Sequence, residues 1–576
     1  MAAAQNEQPV LIVGAGPTGL AAAMSLARAH VPVRVIDRAP RPAEHSRAIG
    51  IQARTLELFE QHRVVDPFLE AGHRLRAVNL YSNGHRLARL DFDPLQTRYP
   101  YLLCLDQTVT ERLLTEHLAG LGVAVERGVQ LVRLIQGASR VEADLLHADG
   151  RQETAHAAYV VAADGAHSSV RHLLGLNFAG KALEQTFMLA DLHADSDLSS
   201  DEFHIFASGE GLAALLPLSP VRHRFIADHP ESATEAEVSP VPNGNDHGFH
   251  ADTGLDTGGG PSLDRLRAAA ARRIRHPLEL SALEWSSYFS VQSRMVEKLR
   301  VQRVFLAGDA AHVHSPAGAQ GMNTGIQEAF NLGWKLARVL SGQGAEQLLD
   351  TYQTERHPIE RDVLRQTTFI TQMAEAERGP LKLLRERAMP VLAAFGPLRD
   401  AARLMVSELS VQYRRSPLTL ERVLDGGPRA GERAPDALVH VIDGPLGRAP
   451  GTGCIFDLHD PAFFSLFLLV APPKDGQALF DATGALAPES IPADPELERL
   501  ATAVEAILGS AVRIWRVTDA ANGGGTPLTE AYGRTRPAFY LLRPDGYICA
   551  RGRPASDVNA LARHCENWFS SSRQYG

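Results

Sequence analysis

Val10-Leu11-Ile12-Val13-Gly14-Ala15-Gly16-Pro17-Thr18-Gly19 joins a short apolar run to a glycine turn. The four apolar residues predict a buried strand, and Leu20, Ala23, Met24 and Ala27 share one face of the helix that follows. A second apolar run, Val33 to Ile36, ends at Asp37-Arg38, so residues 10 to 37 make one βαβ start. In Gly14-x-Gly16-x-x-Gly19 the first glycine permits the tight turn, the second lets a pyrophosphate approach the backbone, and the third allows close helix packing. The phosphates would face a helix N-terminus, where unpaired N–H groups and the helix dipole favour negative charge. Asp37 stands 18 residues after the last glycine. There it can accept hydrogen bonds from ribose hydroxyls, which favours an adenosine lacking a 2′-phosphate, as in FAD or NAD.

The chain has 576 residues, too many for one core. Against 67 acidic residues stand 58 Lys and Arg, a net charge of −9, so nucleic acid and anionic membrane are not expected partners. Its four cysteines, Cys104, Cys454, Cys549 and Cys565, form no Cys-x-x-Cys pair, which speaks against zinc, dithiol exchange or a disulfide framework and for a reducing compartment. No basic segment precedes Val10 in the manner of a signal peptide. The longest apolar stretch, Phe463 to Ala471, is far shorter than the ~20 residues that a bilayer requires. A soluble, cytoplasmic protein is expected.

The first third alternates helices and strands. Asp106 can cap a helix carrying Val109, Leu113, Leu114 and Leu118 on one side, and β-like runs follow at Val123 to Glu126 and Val141 to Leu146. Residues 228–261, rich in Ser, Pro, Gly, Asn and Asp, predict a long surface loop. A helix is predicted from Gly321 to Leu340, with helical patterns continuing to Leu409. Turn residues at Gly426-Gly427-Pro428 and Arg433-Ala434-Pro435 mark a domain boundary. Beyond it come strands at Phe467 to Ala471, Val512 to Val517 and Phe539 to Leu542, and a helix near Leu497 to Leu508.

A Rossmann start does not separate FAD from NAD, but two distant segments bear on the choice. In Ala163-Asp164-Gly165-Ala166-His167-Ser168-Ser169-Val170-Arg171 an apolar strand ends in Asp-Gly, and Ser168 or Ser169 can cap a short helix. Val304-Phe305-Leu306-Ala307-Gly308-Asp309-Ala310-Ala311-His312 is followed by Pro316 and by Gly318-Ala319-Gln320-Gly321-Met322-Asn323. With these three ordered motifs, residues 9 to 410 resemble the class A flavoprotein monooxygenases, the aromatic hydroxylases that include phenol and polyketide hydroxylases.

The resemblance implies an α/β fold: a Rossmann-type FAD-binding domain like that of p-hydroxybenzoate hydroxylase, an inserted α+β substrate domain and a thioredoxin-like C-terminal domain. The expected divisions are 1–183 for the first part of the FAD domain, with strands near 76–106 on the substrate side, and 184–290 for the substrate domain. The second part of the FAD domain with a helical region would cover 291–415, and the thioredoxin-like domain 425–576. Gly14, Gly16, Gly19 and Asp37, with Arg38 beside it, would hold the ADP half of FAD, and Asp309 the ribityl chain, with Gly308 permitting close approach. Arg47 and Gln107 match flavin-contacting positions. The helix start at Gly321, Met322 and Asn323 would stabilise negative charge on the reduced ring. Asp164, with Arg171 nearby, would serve both flavin and nicotinamide nucleotide. No second Gly-x-Gly-x-x-Gly unit appears, which agrees with a family lacking a separate nicotinamide domain.

The implied activity is hydroxylation of a small phenolic or polyketide-type aromatic with NADPH or NADH and dioxygen, through a flavin C4a-hydroperoxide, by a monomer or homodimer. Baeyer–Villiger oxidation or epoxidation on the same fold is the alternative. An NAD-binding dehydrogenase and a non-catalytic flavin-binding protein are the readings from other classes. This chain has Asp37 where relatives usually carry Glu, and Ser315-Pro316 where many polyketide hydroxylases have Pro-Pro. His312-x-His314 lacks a third ligand at a recognisable spacing, so no metal is expected. The catalytic base is not identified. Tyr288 and Pro316 are the candidates for the substrate side, with core packing the favoured role for Tyr288. Gly431 to Asp436 and Leu542 to Gly546 resemble the thioredoxin-like appendage, whose missing Cys-x-x-Cys favours a structural or subunit-contact role.

Overall fold

The strand Val10–Val13 is buried at every position and pairs in parallel with both Val33–Asp37 and Tyr159–Ala162, as an all-apolar strand requires. The computed structural model describes residues 8–45, 48–229, 260–314, 320–375, 396–445, 450–470, 494–520, 525–533 and 537–570. Around the first strand a six-stranded sheet runs in the order Arg300–Val301, Val304–Leu306, Tyr159–Ala162, Val10–Val13, Val33–Asp37, Val125–Arg127. The helix Pro17–Arg28 begins with proline in its first turn, where the missing N–H costs nothing. It packs closely on Gly321–Leu340: a Cβ at Gly333 would lie 2.3 Å from Ser25 Oγ. A three-stranded antiparallel sheet, Val129–Gln136, Val141–His147 and Gln152–Ala157, contributes Val129, Leu131, Val141 and Leu145 to the same core.

A second, eight-stranded sheet runs in the order His312–Val313, Leu278–Val296, Phe178–Ser196, Arg222–His229, Gly211–Pro217, Glu202–Ser208, Ala77–Ser82, His85–Asp91. Helix Leu263–Arg273 covers one face, where Leu266 and Ala269 meet Met188, Ala190, Phe206 and Phe225. The division points expected at 183/184 and 290/291 fall inside continuous strands. Phe178–Ser196 and Leu278–Val296 are 19-residue strands that run through both points and pair with each other. Of the loop expected at 228–261, residues 230–259 lie outside the described residues.

The C-terminal region forms a mixed six-stranded sheet in the order Gly451–Cys454, Leu438–Asp443, Val512–Asp519, Phe464–Leu469, Ala538–Leu542, Ile548–Gly552, with helices Pro495–Leu508 and Pro554–Phe569 sharing a core. Burial pushes the Cys549 thiol up to about 12, so it stays protonated at neutral pH. Among the described residues no helix is long and apolar enough to cross a membrane.

Charge, rather than grease alone, joins this domain to the rest. Glu355, in helix Asp350–Glu375, accepts from Lys335 Nζ and Asn331 Nδ2 at 2.7 Å each, and from Arg543 Nη1 and Ser416 Oγ at 2.6 Å each. Burial opposes the Glu355 charge, but Arg543 and Lys335 outweigh it and hold the carboxyl well below its ordinary range. Glu355→Ala would leave the buried Lys335 without its counter-charge and Arg543 with Asp545 alone. It is expected to cost about 3–5 kcal/mol, read as a lowered midpoint in urea denaturation.

A second carboxyl beside this seam behaves in the opposite way. Glu408 is buried and accepts from Gln327, yet burial dominates and raises it to about 8. Its folded form therefore stays neutral where the unfolded form has ionised, so stability falls as pH rises from about 4.5 to about 8. Glu408→Gln is expected to raise the melting temperature at pH 8, with the gain shrinking toward pH 5.

Candidate functional site

The glycine turn is shaped by contacts that exclude side chains. Gly14 has φ +104°, and a Cβ there would lie 2.2 Å from the Ala163 carbonyl oxygen and 2.9 Å from Asp164 Cα. The first motif is thereby pressed against the second. A Cβ on Gly19 would sit 2.0 Å from the Gly14 carbonyl oxygen, whereas one on Gly16 would meet nothing within 4 Å. Gly16 is the N-cap of Pro17–Arg28, and no side chain caps that end. The open space thus lies where backbone N–H groups favour an anion. Asp37 accepts from Ala15 N–H at 2.7 Å and Ala39 N–H at 2.8 Å, which fixes the turn and leaves further lone pairs on each oxygen for ribose hydroxyls. Arg38 is exposed next to it.

Gly308, at φ +59°, opens the 3₁₀ turn Gly308–Ala310. From Val304 to His312 every residue is buried except Asp309, which is exposed. A turn sunk in the core thus presents one carboxylate. Asp164 Oδ2 accepts from Ser169 Oγ at 2.9 Å and from Val170 N–H at 3.2 Å, while its Oδ1 is buried without a hydrogen-bond partner among the described residues. Ser168 is the cap of this short helix, accepting from Arg171 N–H at 3.0 Å.

Several expected contacts fall elsewhere. Arg171 is 3% exposed, donates to the carbonyls of Ala310 at 3.1 Å and Ala166 at 2.7 Å, and lies over the Phe178 ring. It rivets the second motif to the third. Asn323 is likewise committed to backbone, accepting from Gln52 N–H at 3.0 Å and donating to the Gly50 carbonyl at 2.8 Å. Gly321 and Met322, at the same helix start, are both half-buried. Gln107 accepts from Ala48 N–H at 3.1 Å and donates to Glu111 at 2.8 Å. Asp106 occupies the N-cap position of Gln107–Gly120 but makes no capping bond, because its carboxylate pairs with Arg222 at 2.7 Å. Arg47 and Pro316 lie outside the described residues.

Tyr288 lies on the helix-covered face of the second sheet. It pairs with Met188, packs on the core beneath Leu263–Arg273 and accepts from Arg265 Nη1 at 3.0 Å. Alternation along the strand sends Phe289 to the opposite face, where it stacks on Phe187 with centroids 5.5 Å apart. On that face Arg224 and Asp191 form a buried bidentate pair at 2.7 and 2.8 Å. A period-2 count through Trp285 to Phe289 would have separated the two faces.

His312 and His314 stack with centroids 6.2 Å apart, but the groups gathered around His312 are Glu328 and Glu360, whose ligand-type atoms lie within 4.8 Å of its own. The Arg356 guanidinium stands 3.6 Å from Glu328, so the cluster already holds an internal cation.

A Rossmann turn, an acid closing the second strand and a sunken Gly-Asp turn, all pressed together, define a dinucleotide-binding α/β protein of the flavin type. Residues 7–367 match the family model described as "FAD binding domain", and the chain belongs to that family. It is 36% identical to a 6-methylpretetramide 4-monooxygenase of Streptomyces rimosus, over 96% of this chain and 92% of that protein. It is 35% identical to a pentachlorophenol 4-monooxygenase of Sphingobium chlorophenolicum over 74% of this chain and 75% of that one. Among solved structures, an anhydrotetracycline hydroxylase from Streptomyces rimosus superposes with a TM-score of 0.72 at 28% identity, covering 98% of this chain and 99% of that one. The chain is an FAD-dependent monooxygenase.

The residues present fit FAD: open space at Gly16, an exposed Asp309 on a buried turn and an unpartnered Asp164 oxygen. Gly16→Ala meets no protein atom, so the apoprotein should melt as wild type while FAD binds about tenfold or more weakly, about 1.4 kcal/mol, in a fluorescence titration. Gly14→Ala, which strikes backbone, is expected to destabilise the apoprotein itself.

Proposed function

We propose that this enzyme hydroxylates a phenolic ring in a polycyclic, polyketide-type substrate, with NADPH or NADH as reductant. The observation that carries the reading is the meeting of three flavin motifs in one domain, alongside a sheet whose face opposite Leu263–Arg273 bears the Phe187–Phe289 stack and the buried Asp191–Arg224 pair. The similarity over nearly the whole chain to tetracycline-type monooxygenases favours a polycyclic ring system over a single-ring phenol.

Bound FAD supplies the redox chemistry, taking reducing equivalents from the nicotinamide and activating dioxygen. The chain's own residues do the rest. The Gly14–Gly19 turn and the helix start hold the pyrophosphate, Asp37 the adenosine ribose, and Asp309 the ribityl hydroxyls. Phe187 and Phe289 offer an apolar, planar surface that orients an aromatic ring by offset stacking and keeps water from it. A phenol has an ordinary pKa near 10 and attacks far better as its anion, so a cation close to the ring aids the reaction. Arg224, held in a dry ion pair with Asp191, is one cation on this face. Baeyer–Villiger oxidation and epoxidation also insert one oxygen, so NMR of the product, rather than its mass, separates the three.

Tetracycline- and anthraquinone-type phenols are expected to stimulate NAD(P)H consumption by about tenfold or more over the basal rate, consistent with substrate-gated oxidation. The product should carry one atom of ¹⁸O from ¹⁸O₂. Consumption that yields only hydrogen peroxide across such a panel would overturn the hydroxylase reading.

A further inference from the structure

Behind the Gly308–Asp309 turn lies a dry cluster that none of the flavin contacts uses. Glu328, in the second turn of helix Gly321–Leu340, is fully buried. One of its oxygens accepts from Gly308 N–H at 2.7 Å and the other from His312 Nε2 at 2.7 Å. The two bonds bracket the 3₁₀ turn Gly308–Ala310 at both ends. The His312 ring is nearly parallel to that of His314, at 12°, and a Cβ on Gly321 would lie 3.4 Å from the His314 ring. One carboxylate therefore ties together the turn that presents Asp309 and the start of the helix that faces the flavin.

The charge of that carboxylate is provided for. Arg356 stands 3.6 Å from the oxygen that also meets His312. Glu360, on helix Asp350–Glu375, is fully buried in the same cluster, with neither oxygen in a hydrogen bond of good geometry among the described residues. Two carboxylates this close in a dry interior do not both ionise. Burial and the Glu328 charge push Glu360 well above the ordinary carboxyl range. For Glu328 burial acts in the same direction, but His312 and Arg356 outweigh it and hold the group below that range.

We propose that Glu328 is a positioning residue for FAD: it clamps residues 308 to 312 to the long helix, so that Asp309 meets the ribityl chain in a preset geometry. The inference rests on the flavin site described above. Its removal should loosen the cofactor more than the fold, because the strands and helices around it keep their apolar packing.

Apoprotein of wild type, Glu328→Gln, His312→Asn and Glu360→Gln would be titrated with FAD by fluorescence quenching, with the visible spectrum of bound flavin and the melting temperature of each apoprotein recorded. Glu328→Gln puts an NH₂ group against His312 or Gly308 and is expected to weaken FAD about tenfold or more and to change the flavin spectrum. His312→Asn is expected to weaken it about threefold to tenfold. Glu360→Gln, which keeps a donor where the neutral acid has one, should stay within about threefold of wild type, with apoprotein melting little changed in all three. FAD affinity within twofold of wild type and an unchanged spectrum for both Glu328→Gln and His312→Asn would overturn the proposal. So would a loss of affinity matched by loss of apoprotein stability, or failure of both to fold. If only Glu328→Gln fails to fold, His312→Asn decides. Wild type that does not bind FAD would instead overturn the flavin site itself.

Discussion

Three backbones meet at Thr18. A Cβ on Gly308 would lie 2.6 Å from its hydroxyl oxygen, and one on Gly325 would lie 2.3 Å from it and 3.1 Å from Gly308 Cα. No residue but glycine allows the first helix, the Gly-Asp turn and the long helix to approach so closely. The flavin site depends on this contact, because it joins the first helix to a turn and a helix that lie hundreds of residues further along the chain. Gly14, pressed on the Ala163 carbonyl, and Arg171, bridging Ala166 to Ala310, extend the same junction to the Asp-Gly motif.

The C-terminal domain belongs to the same mechanical unit. Its Arg543 reaches Glu355, and its Asp545 accepts from Trp334 Nε1, a residue of helix Gly321–Leu340, at 3.1 Å. Helix Ala53–Gln61 is wedged into this seam with every residue buried: Arg54 pairs with Glu57 at 2.9 Å, and Arg433 reaches Glu57 at 3.0 Å. Paired ions packed this densely contribute less to net stability than to a single docking geometry. That geometry is what a structural role for the domain requires.

Much of the framework was legible before any coordinates. The strand at Val10, its glycine turn and the helix from Gly321 to Leu340 lie where periodicity and turn chemistry put them. Helix Ala53–Gln61 has a polar face in its sequence, but Arg54, Glu57 and Gln61 are buried against another domain, which only partners distant in the chain decide. Asp106 looks like a cap until Arg222, 116 residues away, offers a stronger partner. Tyr288 stands in a strand rich in aromatic and small residues, and only the position of Leu263–Arg273 shows which side of the sheet it serves.

The amino-acid sequence by itself determined the local conformations: which runs extend, which coil, and where glycine must supply a left-handed or crowded backbone. Those follow from sterics within a few residues. The tertiary structure alone decided which face of each strand looks at the cofactor, which carboxylates hold a proton, and which arginines are rivets rather than ligand contacts. These are settled by burial and by partners distant in the chain, and neither leaves a mark on the local pattern.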